Sequence, residues 1–224
     1  MCGRFTQTAT PETVAKQFRV EGPMPLFNPN YNIAPTQRVV TVRLNSETGK
    51  RECVLLRWGL IPSWAKDTKI GNQCINAKAE TVAEKPSFRG AFRKRRCLVI
   101  ADGFYEWQRA GERKQPMWIS RKDRLPFAFA GLWEHWKPAE GESLETCAII
   151  TTEPNDLMAP IHNRMPVLLD PASFDQWLDL AAPVEPLRAL LRPCPGEELQ
   201  TYPVSPLVNN PRNNAPQLLD RISH

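Results

Sequence analysis

The chain has 224 residues, 42% hydrophobic and 24% charged, the composition of a soluble globular protein with enough apolar mass for one substantial core or two small ones. Its formal net charge of +5 suits a polyanionic partner without requiring one. No apolar run approaches the roughly 20 residues that span a bilayer, and no basic segment followed by an apolar core opens the chain, so a cytoplasmic protein away from the membrane is expected.

In chain order, "MCGRF" comes first and places Cys2 directly after the initiator methionine. If Met1 is removed, Cys2 carries a free α-amine and a thiol on adjacent carbons, a pair of nucleophiles that no internal residue offers. The next residues, "GRFTQT", are polar, so Cys2 is not expected to be a buried packing residue. The other five cysteines (Cys53, Cys74, Cys97, Cys147, Cys194) are scattered without zinc-type spacing and should be free thiols that pack as small hydrophobes.

"TPETVAKQF" predicts a helix with Thr10 as its N-cap and Pro11 in its first turn. "GPMPLFNPNYNIAPTQ" follows as an irregular stretch crowded with Pro and Asn. "RVVTVRL" and "ECVLLRWGLI" read as a strand pair joined across "NSETGKR", with Gly49 in the turn. Further strands are predicted at "CLVIADGFYEW", "QPMWISR", "LPFAFAGLWEHW" and "TCAIITTEP", with "PVLLD" as a short one. Helices are the minority: Phe88 to Arg96, "PASFDQWLDL" behind an Asp170 cap, and "VEPLRALLR". No internal repeat or linker divides the chain, and strands do not alternate with long helices. The expected fold is a single α+β domain over residues 1–224, with mostly antiparallel strands in a barrel-like core and peripheral helices.

Two features bear on binding. Arg89, Arg93, Lys94, Arg95 and Arg96 fall within eight residues, a run that suits phosphate binding or a solvated helix face equally well. Proline reaches 22 residues, nearly twice the usual share of about 5%, so many strands should end in stiff loops around a cleft.

Four stretches carry candidate chemistry. "INAKAET" holds Asn76, Lys78 and Glu80. "ADGFYEW" sets Glu106 between Tyr105 and Trp107, where a carboxylate has reason for a raised pKa and could serve as a general acid. "PIHNRMP" holds His162, one of three histidines, beside Arg164. "RWGLIPSWAKD" offers Trp58 and Trp64 around a proline turn. Each has a plainer reading: a solvent-facing strand glutamate, a structural loop histidine, a capping asparagine. His135, in "LWEHW", and His224, at the chain end, are poorer candidates. With three dispersed histidines, no phosphate-cradling glycine pattern and no serine elbow, a mechanism without metal or cofactor is expected.

Taken in order, "MCGRF", "YNIAPTQ", "RWGLIPSW", "INAKAET", "ADGFYEW", "IHNRMP" and "YPVS" strongly resemble the SRAP family of SOS response-associated peptidases over nearly the whole chain. The resemblance implies a protein that shields abasic sites in single-stranded DNA by crosslinking to them covalently through Cys2 once Met1 is gone. It implies Cys2, Asn76, Glu106 and His162 as the catalytic set. It also implies Arg4, Pro35, Trp64, Lys78, Lys85, Arg89 and Arg164 as DNA-binding residues, in a monomer. Family members often carry arginine where Lys78 stands, and some carry a second tryptophan where Ala65 stands. Lysine keeps the charge but loses the forked geometry, and Ala65 removes a stacking surface. Two other functions fit the same residues: a thiol peptidase, acting on its own Met1 or more generally, and a noncovalent single-strand binder.

Overall fold

The computed structural model describes residues 2–111 and 113–222. Met1 and His224, both named above, lie outside the described residues. Thirteen strands and four short α-helices form the framework among them. The strands are β1 (Phe5–Gln7), β2 (Asn30–Ile33), β3 (Arg38–Leu44), β4 (Arg51–Trp58), β5 (Asn76–Lys78), β6 (Arg96–Ala101), β7 (Gly103–Ala110), β8 (Arg113–Arg121), β9 (Phe127–Trp136), β10 (Leu144–Thr152), β11 (Met165–Pro166), β12 (Leu168–Leu169) and β13 (Leu199–Pro203). The helices are α1 (Pro11–Phe18), α2 (Arg89–Lys94), α3 (Phe174–Leu178) and α4 (Val184–Ala189).

One sheet closes on itself. β10, β4, β3, β6 and β9 pair in that order, and β9 pairs back to β10, giving a five-stranded barrel. All its ladders are antiparallel except β10–β4. A second sheet, in the order β13–β8–β7–β1–β2, packs beside it. The α+β barrel architecture expected from the sequence is the one observed.

Two apolar clusters divide the residues of the barrel wall between its faces. Val40, Val42, Leu98, Ile100 and Ile150 meet the helices through Val14, Phe18, Phe92 and Trp177. The alternate residues Val39, Leu56, Trp58, Val99, Phe129 and Ile149 join Phe5, Ile33, Phe104 and Ile119 of the second sheet. This partition follows from the period-2 alternation of side chains along each strand.

Three findings depart from the sequence reading. The expected strand through "CLVIADGFYEW" is two strands in different sheets, β6 and β7, broken at Asp102. Gly103 starts the second because a Cβ there would lie 2.4 Å from the Trp118 ring. Second, the polar N-terminal segment is buried: Cys2, Phe5, Thr6 and Gln7 are all enclosed. Its polar groups turn inward to satisfy backbone. The Gln7 amide donates to the Ile100 carbonyl at 2.7 Å and accepts from the Val40 N–H at 3.1 Å. The Asp102 carboxylate accepts from the Thr6 hydroxyl, the Thr8 N–H and hydroxyl, and the Ala9 N–H. Third, the cationic run from Arg89 to Arg96 is not one face. Arg96 is buried, and its guanidinium donates to the carbonyls of Phe92, Arg93, Trp177 and Asp179. It therefore satisfies the orphan carbonyls at the ends of both α2 and α3.

Candidate active site

β1 and β7 run antiparallel with Phe5 opposite Phe104 and Thr6 opposite Gly103. The Tyr105 N–H donates to the Arg4 carbonyl at 3.0 Å, and the same register carried toward the N-terminus sets Gly3 across from Glu106. Glu106 therefore stands one residue from Cys2. Asp102 and Gln7 lock the strand that makes this neighbourhood, so the inward polar groups serve the site as well as the fold.

Cys2 is fully buried in the cluster between the sheets. Burial, together with the Glu106 carboxylate, pushes its thiol far above the ordinary range, so the thiol holds its proton. Glu106 is 3% exposed. Burial raises its pKa from 4.5 to about 7, with the Trp107 N–H hydrogen bond acting against the rise. A carboxyl that exchanges its proton near neutrality suits general acid–base work. The Asn76 side-chain amide donates to the Cys2 carbonyl at 2.8 Å, while its Oδ1 is enclosed with no hydrogen-bond partner among the described residues. Asn76 is fixed by β5, which lies parallel to β10 with Asn76 opposite Ile149.

His162 ends a turn held by Asn155, whose carbonyl accepts from the Met158 and Ala159 N–H groups. The His162 N–H then donates to Met158 O at 2.9 Å. The Arg164 N–H donates to His162 Nδ1 at 3.0 Å, which places the proton of the neutral ring on Nε2. Burial lowers the pKa of His162, and the charges of Arg164 and Lys114 push the same way, so the neutral imidazole is favoured. The Gln108 amide, on the strand that carries Glu106, donates to Pro160 O at 3.3 Å and ties the two elements together. Lys114, across the β7–β8 ladder, was not among the residues singled out from sequence; only its place in the folded hairpin brings it near His162.

The resemblance set out from sequence can now be checked against known proteins. The pattern of the family described as SOS response associated peptidase (SRAP) matches residues 1–211. The chain is 46% identical over 228 residues to the abasic site processing protein YoqW of Bacillus subtilis, covering 98% of this chain and 99% of that one. It is 31% identical to the abasic site processing protein HMCES of Xenopus tropicalis, over 99% of this chain and 78% of that one. A crystal structure of a protein from Bacteroides thetaiotaomicron superposes with a TM-score of 0.90 at 28% identity, covering 99% of this chain and all of the other. The chain belongs to the SRAP family.

The remaining candidates of this SRAP protein fall into three environments. Trp64 is 59% exposed and shares a cleft of about 260 Å³ with Ser87, Arg89, Arg93 and Arg95. The loop under Trp64 is anchored by the Trp136 indole, which donates to Ala65 O at 2.7 Å. Arg89 and Arg93 are exposed and form no ion pair among the described residues, whereas Arg95 is bridged to Glu134 at 2.7 Å. Lys78 and Lys85 are also exposed.

Arg4 and Arg164 are differently placed. The Arg4 guanidinium donates to Asn32 Oδ1 at 2.8 Å and Val208 O at 2.7 Å and lies 5.8 Å from the Trp107 ring centre. Arg164 is paired with Glu80 and donates to Thr151 O. Both arginines are half-buried and already committed within the protein. Pro35 is the second residue of the turn Ala34–Gln37, whose next residue, Thr36, has φ +77°. Glycine is the usual occupant of such a type II position, so a β-branched residue there is strained.

Among the described residues no group of three His, Cys, Asp or Glu is gathered as a metal would need. No helix there is long and apolar enough to cross a membrane.

Proposed function

We propose that this protein captures abasic sites in single-stranded DNA by forming a covalent thiazolidine with Cys2 after Met1 has been removed. The open form of an abasic deoxyribose carries an aldehyde. The Cys2 α-amine adds to it to give a carbinolamine, and loss of water gives a Schiff base. The thiol then adds to the same carbon, its proton passes to nitrogen, and a five-membered ring closes. Ring closure consumes the iminium whose persistence permits β-elimination and strand cleavage.

The observation that carries this reading is the buried Glu106 carboxyl beside Cys2. Near neutral pH it can give a proton to the departing carbinolamine hydroxyl as the protonated acid. As carboxylate it can then take the proton of the thiol as sulfur attacks. Asn76 Oδ1 is an acceptor available to the Cys2 amine or a sugar hydroxyl. His162, neutral with its proton on Nε2, can donate to the ring oxygen of the closed sugar as the aldehyde is released. Trp64 and the exposed cations Arg89, Arg93, Lys78 and Lys85 would hold flanking nucleotides by stacking and phosphate contact, with little base preference. The names of the relatives, abasic site processing proteins, support the choice of substrate.

The peptidase reading fits less well. A thiol protease needs a thiolate stabilised by its surroundings, and the Cys2 site favours the protonated thiol. Removal of the protein's own Met1 is the one peptide cleavage the proposal requires, whether performed in cis or by an aminopeptidase. The test is direct: an abasic oligonucleotide and an intact control are incubated with the protein, heated in denaturant and run on a gel. A shifted band for the abasic strand alone is expected. Loss of every shift on denaturation would reduce the protein to a noncovalent single-strand binder.

A further inference from the structure

Glu80 is the sixth residue of the motif "INAKAET", and neither the catalytic nor the DNA-binding set uses it. Its carboxylate meets the Arg164 guanidinium as a fork, Oε1 to Nη1 at 2.5 Å and Oε2 to Nη2 at 3.0 Å. Arg164 Nη2 also donates to the Thr151 carbonyl at 2.6 Å. The arginine side chain is thus clamped between the segment after β5 and the strand β10. The Arg164 side chain is 15% exposed and that of Glu80 52%, so the guanidinium is withdrawn from water and meets at its rim a carboxylate whose bidentate geometry matches its fork. The guanidinium holds the Glu80 carboxyl below its usual range, as a genuine pair should.

The other end of Arg164 is its backbone N–H, which donates to His162 Nδ1. A residue whose side chain is clamped at three points cannot rotate its backbone freely. The clamp therefore fixes the donor that sets which nitrogen of His162 carries the proton. Resting on the function proposed above, we infer that Glu80 is a positioning residue for His162: it holds Arg164, and Arg164 holds the imidazole with its proton on Nε2. Arg164 is then a support for the histidine first, rather than a cation held in reserve for DNA.

A DNA contact and a positioning residue respond with opposite signs here. Glu80 is an anion among the exposed cations Lys78 and Lys85, so removing its charge should strengthen binding of any single strand or leave it unchanged. The same change should slow the reaction. Three measurements on the full chain, with parent and variants in the same N-terminal form, separate the cases. The first is the ¹⁵N spectrum of His162 without DNA, assigned by its loss in His162→Gln. In the parent it should show the Nε2–H tautomer, and in Glu80→Gln and more so in Glu80→Ala a mixture of tautomers. The second is affinity for an intact single-stranded oligonucleotide, expected to be equal or tighter in both variants. The third is the single-turnover adduct rate at saturating abasic DNA, expected to fall by about 10- to 100-fold, the scale of a misplaced reacting group. Glu80→Asp, which can rebuild half of the fork, should recover part of the tautomer signal and part of the rate.

An unchanged His162 spectrum in Glu80→Ala would overturn the inference whatever the rate does. So would weaker binding of intact DNA with a normal rate at saturation. If the parent itself forms no adduct, the proposed chemistry fails, and the spectrum alone still judges the link from Glu80 to His162.

Discussion

Around Cys2 the reactive groups are withdrawn from water: the thiol is enclosed, Glu106 is nearly so, and Asp102 and Gln7 pin the strand that holds them. Around Trp64 the opposite holds, with an indole 59% exposed and Arg89 and Arg93 left in solvent without carboxylate partners among the described residues. Low dielectric near Cys2 shifts pKa values and sharpens geometry, which chemistry needs. High dielectric near Trp64 screens charge, which suits a surface that grips many sequences and lets go. The two regions should therefore fail differently when mutated. Changes near Cys2 should alter rate and product with little effect on affinity, and changes near Trp64 the reverse.

The largest effect is expected from Cys2→Ser. The amine survives, but the ring would be an oxazolidine, far less stable than a thiazolidine. A Schiff base trapped by borohydride should persist, with little heat-stable adduct and more strand cleavage on sequencing gels. A crosslink as durable as the parent's would make the thiol dispensable and erase the chemical half of the contrast.

Glu106→Gln comes next. Loss of proton transfer should slow adduct formation by about 10²–10⁴-fold, roughly 3–5 kcal/mol, while leaving the finished adduct stable. Stability should move the other way. The folded-state pKa of about 7 lies above the 4.5 of the free group, so between those values the folded chain binds more protons than the unfolded one. Stability linked to Glu106 is then complete below about pH 4.5 and is lost as pH rises through about 7. At pH 8 the Gln variant should be more stable by up to about 3 kcal/mol, and its denaturation midpoint should lose that pH dependence. A variant both slower and less stable at pH 8 would mean that Glu106 is held for packing.

The contrast also explains what sequence could reveal. Cys2, Asn76, Glu106 and His162 stand out as candidates because each sits in a short local motif, and the long strands are legible because their apolar periods are local too. The burial of Cys2 was not, since it depends on Thr6 and Gln7 bonding backbone that is about 33 to 97 residues away in the chain. The fate of the basic run was hidden for the same reason. Arg96 satisfies carbonyls of α3, more than eighty residues on, and Arg95 meets Glu134, so a string of like residues resolves into a buried clamp, a paired cation and a few exposed ones. The break at Asp102 escaped because both sides of it are strand-like, and only the Trp118 ring against Gly103 shows that the chain changes sheets.

On the open side, Trp64→Ala should weaken binding of intact single strands by about 1–3 kcal/mol per stacked base, with no change in rate at saturation. Arg89→Gln and Arg93→Gln should each flatten the dependence of log affinity on log salt by about 0.7, the share of one phosphate on a single strand. Fluorescence titration at several salt concentrations measures both. Slopes that do not move would leave α2 a solvated face and shift the DNA path toward Lys78 and Lys85.

The smallest effect is expected at Arg95, and it tests how far the open region extends. Arg95 lines the same cleft as Arg89 and Arg93, so its charge alone would make it a third phosphate contact. Its bridge to Glu134 argues otherwise, because a phosphate would have to displace a carboxylate that is itself buried, with a side chain 8% exposed. That exchange would strand the Glu134 charge in a poorly solvated site, a cost that can exceed what the phosphate contributes. Arg95→Gln should therefore leave the salt slope within error of the parent's and lower thermal stability, since it leaves Glu134 buried without its partner. A loss of about 0.7 in slope would show that DNA wins the competition. The boundary between the two regions would then lie at Glu134, one residue deeper than the ion pair now draws it.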